Sequence, residues 1–264
     1  MNNSKSFIPA KDLSKLWRAI IEFDMLKSGD KILIGLSGGK DSMLLTAMLA
    51  EIQKYSPVPF QLACYTVNGM FAADFPKAKL EDFCNQFNIK HYSDDIDIMA
   101  AHEKKGGSPC FTCAYFRRAA TNRKANELGF NKVALAHHND DAVETFFMNL
   151  VTSGQLRTFL PVTPLSRSGI TVLRPLLYYR EQEIRSLVNK LKIQPIKNPC
   201  PYDGHTMRQD IKEHIAELDI CYPDIYNHLA AAMRLSNRQE LWPPKPGKEL
   251  LEKFHTFWNN NKNL

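Results

Sequence analysis

Residues 37–42, Ser37-Gly38-Gly39-Lys40-Asp41-Ser42, stand between a short apolar run and a segment apolar at helical spacing. A glycine turn opening a helix is an anion site, because the first N–H groups of the helix have no partner within it and its dipole is positive there. Two glycines let a phosphate come close to the backbone. Lys40 adds charge, and Ser37 and Ser42 offer hydroxyls. The pattern is not Gly-x4-Gly-Lys-Ser/Thr, since residue 34 is isoleucine and Asp41 follows the lysine, and it is not Gly-x-Gly-x-x-Gly. A second group is Ala136-His137-His138-Asn139-Asp140-Asp141. One aspartate there can cap a helix, and a carboxylate can hold Mg²⁺ against phosphates. Adjacent histidines at a strand end point apart, which counts against a di-metal site. The third group is Cys110-Phe111-Thr112-Cys113, after a Gly-Gly-Ser-Pro turn, with Cys200 in Asn198-Pro199-Cys200-Pro201-Tyr202. Three thiolates can hold three irons of a [4Fe–4S] cluster and leave one iron open. They can equally bind Zn²⁺ with His205, and the close pair can act as a redox dithiol. Spacing alone leaves these open. Cys64 and Cys84 read as core residues, and Cys221 has no assignment.

These groups need a scaffold, and the hydrophobic pattern supplies one. Helices are expected over residues 10–26, 41–54, 74–87, 112–128, 140–151 and 181–191, and strands over 31–36, 60–67, 89–92, 132–136 and 170–173. A polar loop containing Lys104-Lys105-Gly106-Gly107-Ser108-Pro109 is expected before the CxxC helix. Alternating strands and helices predict an α/β fold, a doubly wound parallel sheet covered on both faces. Ligands of such sheets sit at the carboxyl ends of the strands, so the glycine turn and the His-His-Asn-Asp-Asp segment should face one crevice. Residues 200–238 read as helical without a strand. The expected domains are an N-terminal helix (1–27), an ATP-binding domain carrying the CxxC (28–197) and a helical C-terminal extension with the third cysteine (198–264).

With 264 residues, 44% hydrophobic, the chain can build a sizeable core. No run of 18 apolar residues marks a membrane span. The N-terminal residues lack a signal-like apolar stretch, so a cytoplasmic protein without membrane association is expected. Six cysteines in that compartment argue against disulfides. The net charge of +6 is concentrated. Residues 103–124 carry six Lys/Arg against Glu103, and residues 154–192 carry seven against Glu181 and Glu183, a net of +5 in each. Localised positive charge suits a polyanion such as RNA.

Ser-Gly-Gly-x-Asp-Ser is similar to the pyrophosphate-loop (PP-loop) signature of the ATP pyrophosphatases, which cleave ATP between the α and β phosphates. From Leu16 to about Leu218 the chain resembles the tRNA 2-thiocytidine synthetase family and, more broadly, relatives that make 2-thiouridine. The resemblance is carried by residues 16–42 (LWRAIIEFDMLKSGDKILIGLSGGKDS), the CxxC, residues 137–150 (HHNDDAVETFFMNL), residues 154–176 (GQLRTFLPVTPLSRSGITVLRPL) and Cys200-Pro-Tyr. It implies ATP and Mg²⁺ at the loop, a [4Fe–4S] cluster on Cys110, Cys113 and Cys200, tRNA as substrate, a cysteine desulfurase as sulfur source, and a homodimer. It implies nucleotide contacts from Ser37, Gly38, Gly39, Lys40, Asp41, Ser42, Val67, Ala136, His137 and Asp141, with Asp41, Arg117 and Asp141 acting in catalysis. The reaction it implies is adenylation of the C2 carbonyl oxygen of a pyrimidine, cytidine first, and replacement of that oxygen by sulfur carried on the cluster. Three departures stand out. The first cysteine is Cys64, so no N-terminal zinc finger of the thiouridine type is present. The glycine before the histidines is Ala136, and a position often lysine is Arg117. The alternatives are another PP-loop enzyme of thiouridine or lysidine type, or a zinc-stabilised nucleotide- or RNA-binding module without catalysis.

Overall fold

Lys31–Gly35 forms strand β1, whose three central residues are all buried. Ile32 and Ile34 enter one core and Leu33 another, on the opposite face, as a strand covered on both sides must. The computed structural model describes residues 7–71, 75–105, 109–196, 207–234, 247–249, 252 and 256. The other elements are α1 (Ala10–Glu22), α2 (Lys40–Gln53), β2 (Gln61–Asn68), α3 (Lys77–Asn85), β3 (Lys90–Asp95), α4 (Ile98–Lys105), α5 (Pro109–Glu127), β4 (Lys132–Ala134), α6 (Asn139–Ser153), β5 (Val162–Leu165), β6 (Ile170–Leu173), α7 (Glu181–Lys190), α8 (Met207–Cys221) and α9 (Ile225–Ala232).

The strands lie in the order β3-β2-β1-β4-β6-β5, parallel except for the β5–β6 pair. The expected α/β doubly wound architecture is therefore what the chain adopts. One face of the sheet buries Ile32, Ile34, Cys64 and Leu173 with α1, α2, α3 and α7, and the other buries Leu33, Ala63, Tyr65 and Val133 with α5. Cys64 and Cys84 are fully buried, as read from the sequence. The chain winds from β1 outward to β3, then returns to lay β4 on the other side of β1. The crevice at this reversal lies between the carboxyl ends of β1 and β4. The glycine turn leaves β1 there and the His-His segment leaves β4. Each βα unit runs its helix antiparallel to the strands, so α5 starts at this same edge.

Two expectations need correction. The stretch read as a polar loop before the CxxC contains helix α4, with Ile98 buried and the helix packed on α5. A fully buried hydrophobe every turn was missing from that stretch, so its periodicity was weak. The sheet also has a strand the pattern did not reveal, β5, which pairs antiparallel with β6 at the edge. It contains Pro164, which a central strand would exclude but an edge strand tolerates. The helical reading of the C-terminal part resolves into α8 and α9, broken at Tyr222-Pro223, with Asp224 at φ 71°. Ile211 and Ile215 of α8 and Tyr226 of α9 pack on Val143 of α6. Among the described residues no helix is long and apolar enough to cross a membrane.

Candidate functional site

The loop after β1 is held in shape by its own hydroxyls. Ser42 Oγ accepts the Ser37 N–H at 3.2 Å and donates to the Gly39 carbonyl at 3.0 Å. The two serine hydroxyls lie 3.1 Å apart. Gly38 has φ +86°, and a Cβ there would stand 3.2 Å from Ile196 Cβ. The Ile196 N–H donates to the Gly38 carbonyl at 2.8 Å, so the loop is buttressed from behind by the segment after α7. Gly39 caps α2 in an extended conformation and no side chain caps the helix, which leaves its first N–H groups facing the crevice.

Lys40 Nζ lies 3.2 Å from Asp41 Oδ2 and 3.0 Å from Glu181 Oε1. Burial works against its charge, but Asp41 and Glu181 outweigh it and raise the Lys40 pKa. Burial likewise opposes the Glu181 charge, yet Lys212, Arg185 and Lys40 hold that carboxyl well below the usual carboxylate range. The lysine is thus charged and aimed by a carboxylate from the far side of the crevice. Asp41 Oδ1 is buried without a hydrogen-bond partner. Val67, at the carboxyl end of β2, and Ala136, just after β4, line the edges of the core beside it.

The two aspartates after β4 divide their work. Asp141 Oδ2 accepts the His138 N–H at 2.9 Å, which ties down the start of α6, and Oδ1 accepts from Arg208 Nη1 at 3.1 Å. Asp140 is buried and binds Arg180 Nε through both oxygens at 3.1 Å and the Glu181 N–H at 2.8 Å. Asp140 thereby joins α6 to α7 and sets Glu181 against Lys40. The histidines have different neighbours. His138 is buried with Nε2 3.4 Å from Asp141 Oδ2 and 3.9 Å from Asp41 Oδ1. The His137 ring lies 5.1 Å from the Phe159 ring, tilted at 44° to it. Burial drives its pKa down to about 4, against the pull of Asp141 and with help from Arg174, Arg208 and His138.

Cys110 is exposed and Cys113 half-buried, both at the start of α5 and neither in a disulfide. Residues three apart share a helix face. Cys200 and His205 lie outside the described residues. Among the described residues no three His, Cys, Asp or Glu side chains form a ready metal-ligand group. Arg117, one turn further along α5, is half-buried, and its Nε is buried without a partner.

Sequence reasoning missed Glu181, Arg208, Arg174 and Phe159. Only packing reveals the first two, because α7 and α8 approach the crevice from distant parts of the chain. Arg174 carried a signal, the localised charge of residues 154–192.

A family model described as a PP-loop domain matches residues 10–218. Among curated proteins, the chain is 34% identical over 221 residues to the tRNA-cytidine(32) 2-sulfurtransferase of Dechloromonas aromatica, covering 82% of this chain and 77% of that one. It is 34% identical to the protein of the same description from Dichelobacter nodosus, over 82% of each chain. Among solved structures, the U34-tRNA thiolase NcsA from Methanococcus maripaludis with its [4Fe–4S] cluster shares the fold, with a TM-score of 0.69 at 23% identity, covering 84% of this chain and 77% of that one.

Proposed function

This chain belongs to the PP-loop family and, within it, to the tRNA 2-thiocytidine synthetases, and we propose that it is an ATP-dependent tRNA thiolase. The observation that carries the reading is a convergence at one sheet edge. There a glycine loop with a charged lysine, two carboxylates and a pair of accessible thiols start from the ends of β1, β4 and α5. The relatives' description as tRNA-cytidine(32) 2-sulfurtransferases supports cytidine as the base.

In this reading the N-terminus of α2 and Lys40 receive the ATP phosphates, with Ser37, Gly38, Gly39 and Ser42 shaping the cradle and Val67 and Ala136 beside the nucleoside. The C2 oxygen of the base attacks the α-phosphorus, and the bond to pyrophosphate breaks. A carbonyl oxygen is a poor leaving group, and as an AMP ester it becomes a good one. Arg117, whose Nε is buried and unpartnered, neutralises charge as it builds on the phosphate. Mg²⁺ fits Asp41, whose Oδ1 is buried without a partner, and Asp141, whose oxygens keep spare lone pairs. Held there, the ion would screen the phosphate charge.

A [4Fe–4S] cluster fits Cys110 and Cys113, two cysteines on one helix face and outside any disulfide, with Cys200 as the third ligand. When bound it would hold sulfide for the activated carbon; the persulfide-level sulfur of a cysteine desulfurase reaches that level with two electrons from a thiol reductant. The protein's own part is to expose those thiols on the face where α5 meets the crevice. Oxygen-free purification, with iron, sulfide and zinc counted for the wild type and Cys110→Ala, tests this. Expected are a brown protein with about four irons per chain and loss of colour in the variant. One tight zinc per colourless chain would overturn the cluster.

A further inference from the structure

Arg118 of α5 and Arg174, which follows β6, lie where α5 packs beside β6, and no carboxylate pairs with either among the described residues. Arg174 Nη1 donates to the Leu160 carbonyl at 2.6 Å and to Thr163 Oγ1 at 3.0 Å, while its Nε is buried without a partner. Burial pushes the Arg174 pKa down to about 10, and Arg118 nearby adds repulsion. Arg118 is exposed, and its Nε donates to the Ala114 carbonyl at 3.1 Å.

Beside them stands a row of flat groups. The Arg174 guanidinium lies 4.9 Å from the centroid of the Phe159 ring, and that ring lies 5.1 Å from the His137 imidazole. His137 Nδ1 is buried without a hydrogen-bond partner. The ring stays neutral across the physiological range, so it can hydrogen-bond a neutral base without the cost of burying a charge. This row lies on the β4–β6 side of the crevice, whereas the glycine loop leaves β1 on the other side of β4. Strand β4 thus stands between the row and the loop.

We propose that His137, Phe159 and Arg174, with Arg118, form the seat of the RNA nucleotide to be modified: the rings face the base and the two arginines take an adjacent phosphodiester. Unstacked bases are held by aromatic faces and guanidinium planes, and arginine binds phosphate through its planar fork. His137, which the resemblance assigned to ATP, here serves the RNA. The inference rests on the tRNA-thiolase reading and adds to it where the target nucleotide sits.

The test is binding of a fluorescent tRNA transcript to the anaerobically purified protein over a series of salt concentrations. Arg174→Gln, Arg118→Gln and Phe159→Leu are compared with the wild type. Arg118 is exposed, so its variant removes charge without removing a buried side chain. Each arginine variant should weaken binding about three- to tenfold. Each should also flatten the slope of log K against log salt by about 0.7–0.9, the loss of one phosphate contact. Phe159→Leu should weaken binding without changing the slope, and affinity for a fluorescent ATP analogue should move less than twofold. Unchanged tRNA affinity and slope in both arginine variants would overturn the inference, and so would an equal loss of ATP affinity, which would assign the arginines to the ATP phosphates. A wild type that thiolates tRNA while these variants bind it normally sinks this inference alone. A wild type without affinity for tRNA sinks the thiolase reading itself.

Discussion

Glu144 shows how strongly single residues are loaded around this crevice. It is 4% exposed, and burial, with Asp141 beside it, raises its carboxyl pKa to about 7. An acid whose folded pKa lies above its unfolded value stabilises the fold below that unfolded value and loses the contribution as pH rises through the folded pKa. Stability should therefore fall between about pH 4.5 and pH 7 on its account. His137 works in the opposite sense. Its depressed pKa gives a contribution that is complete above pH 6.5 and is lost as pH falls toward 4. Glu144→Gln should flatten the neutral-side decline and leave the acid-side loss in place, read from urea midpoints across pH 5–8. A variant with the wild-type pH profile would show that Glu144 is not the group titrating. Some residues at this scale were legible in the sequence. The glycine loop, the CxxC and the paired aspartates stood out because their spacing is chemistry written in consecutive residues. Glu181, Arg180 and Arg208 did not, because they reach Lys40, Asp140 and Asp141 only across 40 to 141 positions of chain.

At the scale of elements, the loop between β1 and α2 is shaped by one residue with a left-handed backbone. Gly38→Ala meets both an unfavourable φ and Ile196 at 3.2 Å. The cost should be about 1–3 kcal/mol, a fall in Tm of roughly 2–4 °C for each kcal/mol in a chain of this size. The KM for ATP should rise at the same time, because the displaced backbone forms the cradle. A fall in Tm with the KM unchanged would separate the loop's structural role from phosphate binding. Most elements could be read from the sequence because β1, β2, β4 and β6 are short apolar runs between turns, and α2 and α7 carry regular apolar spacing. β5 and α4 could not be. The first is an edge strand with a proline, and the second is a short helix of mixed composition that packs on α5.

For the whole molecule, the sheet reversal between β1 and β4 explains why the groups meet. It brings the ends of two non-consecutive strands side by side, and α5, which runs back along the sheet, adds its first turn to the same edge. The helices after residue 206 pack on α6 and supply Arg208 and Lys212 to Asp141 and Glu181, so the C-terminal part holds the polar side of the crevice in place. The central claim is that this edge activates a tRNA base with ATP and exchanges its oxygen for sulfur. The most direct measurement is to incubate unmodified tRNA without oxygen with the purified protein, ATP, cysteine, a cysteine desulfurase and excess dithiothreitol as reductant, digest the tRNA, and identify its nucleosides by mass spectrometry while AMP is counted. A Lys40→Ala sample with matched iron content runs beside it. The account predicts a 2-thiolated pyrimidine and AMP in matching amounts from the wild type, with both reduced at least about a hundredfold in Lys40→Ala, the size of effect seen when a transition-state charge partner is removed. AMP release with no thiolated nucleoside, or thiolation undiminished in Lys40→Ala, would contradict it.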